Sequence, residues 1–414
     1  MISTLLYLVL LWLLATLACL LGRHASTLRA LWREPALRHP VLIVESDDWG
    51  TGPPGDAAML RRIAAVLQRA RDETGRPAVM TLGVVGGQPD GASMLAAGLA
   101  RYVRRTLDEP EFAPIVAAMQ AGCAAGVFAL QRHGLEHCWP ASVLERARED
   151  AALQRWLADP AARSEALPPA LQSRWIDAAA LPSRPLPPER IRAAVDEEAH
   201  LLQALFGKAP MVAVPNTFVW NDDVERAWVA SGVTCIVTGG RRFEGRGADG
   251  ALQRPVATMR NGDRSRAGAM LLVRDDYFEP VRGHRAERVW QSVGLKCLLG
   301  RPALLETHRE SFIASPEIAG QALAELERAL QGALERHPRL RFMSTEELAG
   351  HLADPASPLR EQRWRRRARA FLFRAMHEAA LARILKYSGL GAVLRVLAPV
   401  PGGVKHGRIG AEAG

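Results

Sequence analysis

Cysteine is scarce and unpatterned in this chain: Cys19, Cys123, Cys138, Cys235 and Cys297 are the five present in 414 residues. No CxxC pair occurs, which excludes a zinc knuckle or a disulfide framework as the organising device. The odd count fits scattered thiols in a compartment where disulfides are not needed. No internal repeat and no long low-complexity tract is present, and no recognisable nucleic-acid module accompanies the basic residues, so no nucleic-acid partner is expected. Charge is missing altogether from Met1 to Gly22. That run lacks the basic start and small-residue cut site of a secretory signal.

What is present fits a globular protein with a large core: 48% hydrophobic residues, 23% charged, and a formal net charge of +9. The basic excess is concentrated in the last sixty residues or so, while the body is closer to neutral. Leu5 to Leu21 is almost wholly apolar, and a helix needs about 20 such residues to cross a roughly 30 Å hydrocarbon core. Residues 1–35 therefore read as a transmembrane helix with a basic flank, Arg23, Arg29 and Arg33, which by the positive-inside rule leaves the body cytoplasmic. Residues 356–414 interleave Arg360, Arg363, Arg365, Arg366, Arg367, Arg369 and Arg374 with Trp364, Phe371, Leu372, Phe373 and Met376. Two readings stand for this region: amphipathic helices at a lipid interface, or helices packed on the body with solvated charges.

Between the ends, residues 36–355 alternate short apolar runs with helical stretches. The runs Val41–Asp48, Ala78–Val85, Gly126–His133, Met211–Phe218, Cys235–Gly239, Met270–Asp275, Ala303–His308 and Leu340–Ser344 suit parallel strands buried on both faces. Helical spacing predicts Asp56–Glu73, Glu111–Ala121, Ala141–Leu157, Pro188–Leu205, Asp222–Ala230, Arg285–Leu299 and Pro316–Arg336. Repeated strand-then-helix units imply an α/β fold, a (β/α) barrel of seven or eight parallel strands that is open to distortion. Pro160–Pro188, rich in Pro, Ala and Arg, reads as a loop or insertion.

Three strand ends carry titratable residues. Glu45-Ser46-Asp47-Asp48-Trp49-Gly50 closes the first strand, at the C-terminal mouth where barrel sites gather. Adjacent strand residues point opposite ways, so Asp47 and Asp48 share one site only if the strand ends or bulges there; alone, the pair also reads as a turn and helix cap. His133-Gly134-Leu135-Glu136-His137 follows a second strand and sets two imidazoles at a spacing that reaches one metal ion if helical or tightly turned. A surface HxxxH reads equally well in isolation. Glu306-Thr307-His308-Arg309 closes a third strand and offers a candidate acid or base.

In combination these elements resemble the polysaccharide deacetylase (NodB-homology) family, and Val41–Gly50, Phe128–Pro140 and Glu306–Ile313 resemble a divergent bacterial branch of it. The resemblance implies Asp47 as catalytic base, Asp48, His133 and His137 as ligands of a divalent metal, zinc by preference, and His308 as general acid. It implies an N-acetylated glycan as substrate, with Trp49, Arg309 and Asp275 as expected substrate contacts; the apolar N-terminus and the arginine-rich C-terminus extend that expectation to a lipid-linked sugar and to a single-pass anchor in the inner membrane. Arg274-Asp275-Asp276 stands as the counterpart of the family's aspartate that tunes the acid histidine. The chain departs from the pattern in two places: Trp49-Gly50 replaces a Gly-Pro, and Val214-Pro215-Asn216 lacks the arginine of an Arg-Pro-Pro segment. The alternative is a catalytically inactive carbohydrate-binding or assembly protein of polysaccharide biosynthesis on the same fold.

Overall fold

The computed structural model describes residues 2–397; the last part of the basic tail lies outside the described residues. Nine strand segments form one sheet: β1 Val41–Gly50, β2 Met80–Val85, β3 Phe128–Arg132, β4 Val212–Ala213, β5 Cys235–Thr238, β6 Met270–Val273, β7 Asp276–Tyr277, β8 Ala303–His308 and β9 Arg341–Phe342. The order is β6-β5-β4-β3-β2-β1-β8-β7, with β9 on β1. Every pairing is parallel. The two edges of that path, β6 and β7, are separated only by Arg274 and Asp275. One stretch of chain thus pairs with β5 through its first half and with β8 through its second, so the sheet curls into a distorted (β/α) barrel. Counting that broken strand once gives eight parallel strands.

The helices used below are α1 Ile2–Arg33, α2 Gly55–Arg69, α3 Ala113–Ala124, α4 Pro188–Phe206, α5 Asp222–Ala230, α6 Ala286–Leu299, α7 Pro316–Arg336, α8 Trp364–His377, α9 Ala379–Tyr387 and α10 Leu390–Leu397. In α7 the predicted stripe turns Leu323, Leu326 and Leu330 into the main core beside α2 and α6. Each such leucine contributes roughly 2 kcal/mol by leaving water. The expected helix over Ala141–Leu157 breaks into Pro140–Glu149 and Ala151–Ala158, because the Asp150 side chain caps the second piece through Ala152 and Leu153 N–H. The expected strand over Met211–Phe218 shrinks to Val212–Ala213, since Pro215 lacks a ladder donor and Asn216–Phe218 winds into a 3₁₀ turn.

Among the described helices, one is long and apolar enough to cross a membrane, over Leu6–Arg33. Its turns from Leu20 to Leu31 pack against Ala375, Leu381 and Leu385 of α8 and α9. Arg374 pins this junction. It is buried and donates to five carbonyls: Leu31, Glu34 and Pro35 at the end of α1, and Leu299 and Gly300 at the end of α6. A guanidinium has five N–H donors, so this side chain caps two helix C-termini with nothing left over. Arg374 is therefore not one of the surface arginines.

Candidate functional site

The strand-end residues converge because β1 breaks its register at the right place. The β1–β2 ladder shifts between Ser46 and Trp49, and Asp48 takes φ +71°. This bulge turns the side chains of two consecutive aspartates toward one centre, where a regular strand would send them to opposite faces. Gly83 on β2 makes the room. A Cβ there would lie 2.4 Å from Asp47 Oδ1 and 3.1 Å from Asp47 Cα.

His133 and His137 sit on a tight turn after β3, outside any helix. Gly134 has φ +86°, and its N–H donates to the buried Glu198 carboxylate at 2.8 Å. His133 Nδ1 lies 3.0 Å from the Val214 carbonyl. A carbonyl only accepts, so Nδ1 carries the proton and Nε2 presents its lone pair inward. Asn216 Nδ2 donates to the His133 carbonyl at 2.8 Å. The Val214-Pro215-Asn216 segment thus orients this histidine.

The ligand atoms of Asp48, His133 and His137 all lie within 4.8 Å of one another, and all three residues are buried. Asp48 Oδ1 stands 3.4 Å from His133 Nε2 and 3.3 Å from His137 Nε2. Among the described residues Asp48 Oδ1 has no hydrogen-bond partner, nor has His137 Nδ1. A buried carboxylate oxygen left unpaired between two imidazole nitrogens is costly alone and suits a shared cation, with the oxygen and nitrogen donors that a divalent first-row ion prefers. Burial pushes the His137 imidazole down, toward the neutral form that ligates.

Asp47 is held differently. Its Oδ2 accepts from Arg274 Nη2 at 2.6 Å, and the same guanidinium reaches Glu45 at 2.8 Å and Glu306 at 3.2 Å. Burial alone would raise the Asp47 carboxyl, but Arg274 and His133 outweigh it and hold it below the usual carboxylate range. Asp47 pairs in register with His308 on β8. His308 Nδ1 bonds to Glu279 Oε1, and Glu279 also accepts from Ser311 Oγ at 2.6 Å. Burial opposes charge on this imidazole, yet the Glu279 carboxylate outweighs it and raises the group well above the ordinary histidine range.

The structure thus brings Asp47, Asp48, His133, His137 and His308 to one centre. It does not bring Trp49 or Asp275 there. Trp49 is fully buried in the core, its indole N–H bonded to Ser46 Oγ. Asp275 turns away to Lys296, and the carboxylate on the acid-type histidine is Glu279. Arg309 lies at the mouth but is engaged: it donates to the Thr51 carbonyl at 2.9 Å and to Glu165 at 2.8 Å. Glu165 comes from the Pro160–Pro188 segment, which is thereby held beside the site and is tied again through Arg163 to Asp56 at 3.2 Å. Glu279, Glu165 and the clamp role of Arg274 had no sequence signal beyond residue type.

At the sequence level, the chain matches no protein-family model and no characterised protein. Its course is similar to that of 4-α-glucanotransferase from Thermococcus litoralis, with TM-score 0.40, 8% identity, 76% of this chain and 40% of that one covered. The chain therefore spans well under half of that protein. It is similar to a family 4 carbohydrate esterase from Streptomyces lividans, with TM-score 0.35, 11% identity and 74% and 93% coverage. A third likeness, to a putative polysaccharide deacetylase from Mycobacterium smegmatis, has TM-score 0.36, 11% identity and 80% and 99% coverage.

Proposed function

We propose that this chain is a metal-dependent hydrolase that removes an N-acetyl or similar acyl group from a sugar, carried on a polymer or on a lipid. The observation that carries the reading is Asp48 Oδ1 unpaired between two imidazoles, with Asp47 and His308 in register beside it. Asp48, His133 and His137 would hold a divalent ion, zinc by its preference for imidazole and carboxylate donors with a fourth position open. Such an ion supplies Lewis acidity and a bound water that is acidic near neutral pH.

The chain's own groups divide the proton work. Asp47, kept ionised by Arg274, accepts a proton from the attacking water as its oxygen adds to the acyl carbon. His308, kept protonated by Glu279, gives its Nε2 proton to the sugar nitrogen as the carbon–nitrogen bond breaks. Acetate and a free amine result. By this reading α1 tethers the enzyme in the inner membrane.

A second reading, a binding or assembly protein on the same fold, draws on one observation: the Asp48, His133 and His137 side chains are only 3%, 4% and 7% exposed. Elemental analysis and acetate release, measured on the full chain in detergent and on Asp48→Ala and His137→Ala, separate the two. The full chain is needed because removing residues 1–35 would strip Arg374 of three carbonyl partners. About one metal per chain, lost in both variants together with acetate release from N-acetylated sugars, supports the hydrolase. A folded chain that takes up no added zinc overturns it.

A further inference from the structure

The catalytic reading leaves the two ends of the chain unused, and the structure joins them. Residues 1–33 and 363–397 carry twelve Lys or Arg and a single acidic residue, Glu378, which is itself paired with Arg260 of the barrel at 3.0 Å. These two stretches form one unit. Arg374 locks α8 to the end of α1, as described above. Trp32 of α1 meets the Phe371 ring edge-on at 5.6 Å and lies under the Arg367 guanidinium at 5.2 Å. Farther along, the Trp12 indole N–H donates to the Ser388 carbonyl at 3.0 Å. With Leu381 and Leu385 in the Leu20 cluster, α9 runs antiparallel beside Trp12–Leu20, a stretch of about 12 Å.

The outer face of this unit has one chemical character. Trp32, Trp364 and Tyr387 are 42%, 68% and 78% exposed. Arg23, Arg29, Arg33, Arg363, Arg365, Arg366, Arg369, Arg383 and Lys386 are exposed around them. The apolar side chains Leu6, Leu8, Leu10 and Leu11 stand bare past the stretch that α9 accompanies, and Leu14 and Leu17 within it are exposed as well. A bare apolar helix end, exposed Trp and Tyr rings and exposed guanidinium groups together offer the three chemistries of acyl chains, interface and anionic headgroups. Long basic side chains on α9 reach that headgroup layer by snorkelling.

We propose that α1, α8 and α9 form a composite docking surface for anionic phospholipid headgroups, which seats the barrel on the bilayer face from which α1 emerges. The apolar helix supplies depth of insertion. The arginines select the leaflet by charge, and Arg374 ties α8 to the barrel through the ends of α1 and α6, on the barrel side of the kink that α1 makes at His24.

The test uses the full chain in lipid nanodiscs, either pure phosphatidylcholine or phosphatidylcholine with phosphatidylglycerol, and follows amide hydrogen exchange over Trp364–Lys386. The proposal requires slower exchange in the anionic discs. That difference should vanish at high salt, where surface charge is screened, and in the Arg363→Gln/Arg365→Gln/Arg383→Gln variant. Three arginines near an anionic surface together contribute on the order of a hundredfold in partitioning. Exchange over β1 reports that the variant's barrel is intact. Equal exchange in the two discs overturns the proposal, as does protection conferred by added RNA but not by the anionic lipid.

Discussion

Arg274 Nη2 sits 2.6 Å from Asp47 Oδ2, at the point where the closing stretch of the barrel changes partners from β5 to β8. The same side chain neutralises Glu45 and Glu306, so three buried carboxylates depend on one cation. Arg274→Met leaves them facing each other, and breaking a buried ion pair from one side costs about 3–5 kcal/mol. Urea titration should show a loss of that order. Asp47 is depressed in the folded state, so its stabilising contribution is present above the unfolded carboxylate pKa and disappears as pH falls through the folded value. In the variant that acid transition, and the acid limb of activity, should both move to higher pH. Arg274→Lys keeps the charge without the fork; it should recover part of the stability.

The His308–Glu279 pair sets the alkaline side. A raised imidazole contributes stability that is complete below the unfolded histidine pKa, near 6.5, and is lost as pH rises through the folded value. Glu279→Gln keeps the shape but removes the charge that holds the proton. The alkaline limb of kcat/KM should then move toward neutral pH, and the loss of stability on raising the pH should begin earlier. An unmoved alkaline limb would remove His308 from the role of proton donor.

These two clamps mark the boundary of what was legible in the chain. Asp47 with Asp48, and His133 with His137, announce themselves because each pair is local and follows an apolar strand. Helices Asp222–Ala230 and Pro316–Arg336 have the bounds that their sequence predicts, since the first opens on an Asn221 cap and the second on a Ser315 cap before Pro316. Arg274 against Asp275 was not decidable. Neighbouring strand residues face opposite ways, and Met270–Val273 is apolar on both faces, so periodicity does not say which of the two points inward. Trp49 reads as a site residue until the bulge at Asp47–Asp48 reverses the parity after it. Glu279 and Glu165 are 29 and 144 residues from the partners they hold, and no spacing rule connects them.

Gly83 bears on position rather than charge. An alanine Cβ would meet Asp47 at its Cα as well as at its carboxylate, so the residue cannot escape by turning the side chain alone. Gly83→Ala should shift the Asp47 carboxylate by a few tenths of an ångström or more. Misplacement on the 1 Å scale costs about a hundredfold in rate. The expected signature is a fall in kcat with KM nearly unchanged and with one metal still bound per chain, because Asp48, His133 and His137 keep their places. Loss of the metal together with the rate would show that the bulge moves as a unit.

The segment that carries Glu165 is expected to act as a cover that limits access to the site. Glu165 grips Arg309 through both carboxylate oxygens, at 2.8 and 3.1 Å, and Arg309 is the residue next to His308. Arg163 fastens the same segment to Asp56. Glu165→Ala removes the first tie and leaves Arg309 its carbonyl partner Thr51 and the Asp56 carboxylate at 3.6 Å, so the barrel should keep its melting temperature to within a few degrees. The cover should open more often. A metal held beneath it should then pass to an added chelator several-fold faster, while equilibrium affinity stays the same because no ligand has changed. High salt should speed wild-type release more than release from the variant, since salt screens both the Glu165–Arg309 and Arg163–Asp56 pairs in the first and only Arg163–Asp56 in the second. If wild type and variant release metal at one rate, this segment is a fixed roof and substrate enters beside the third of the His308 side chain that is already exposed.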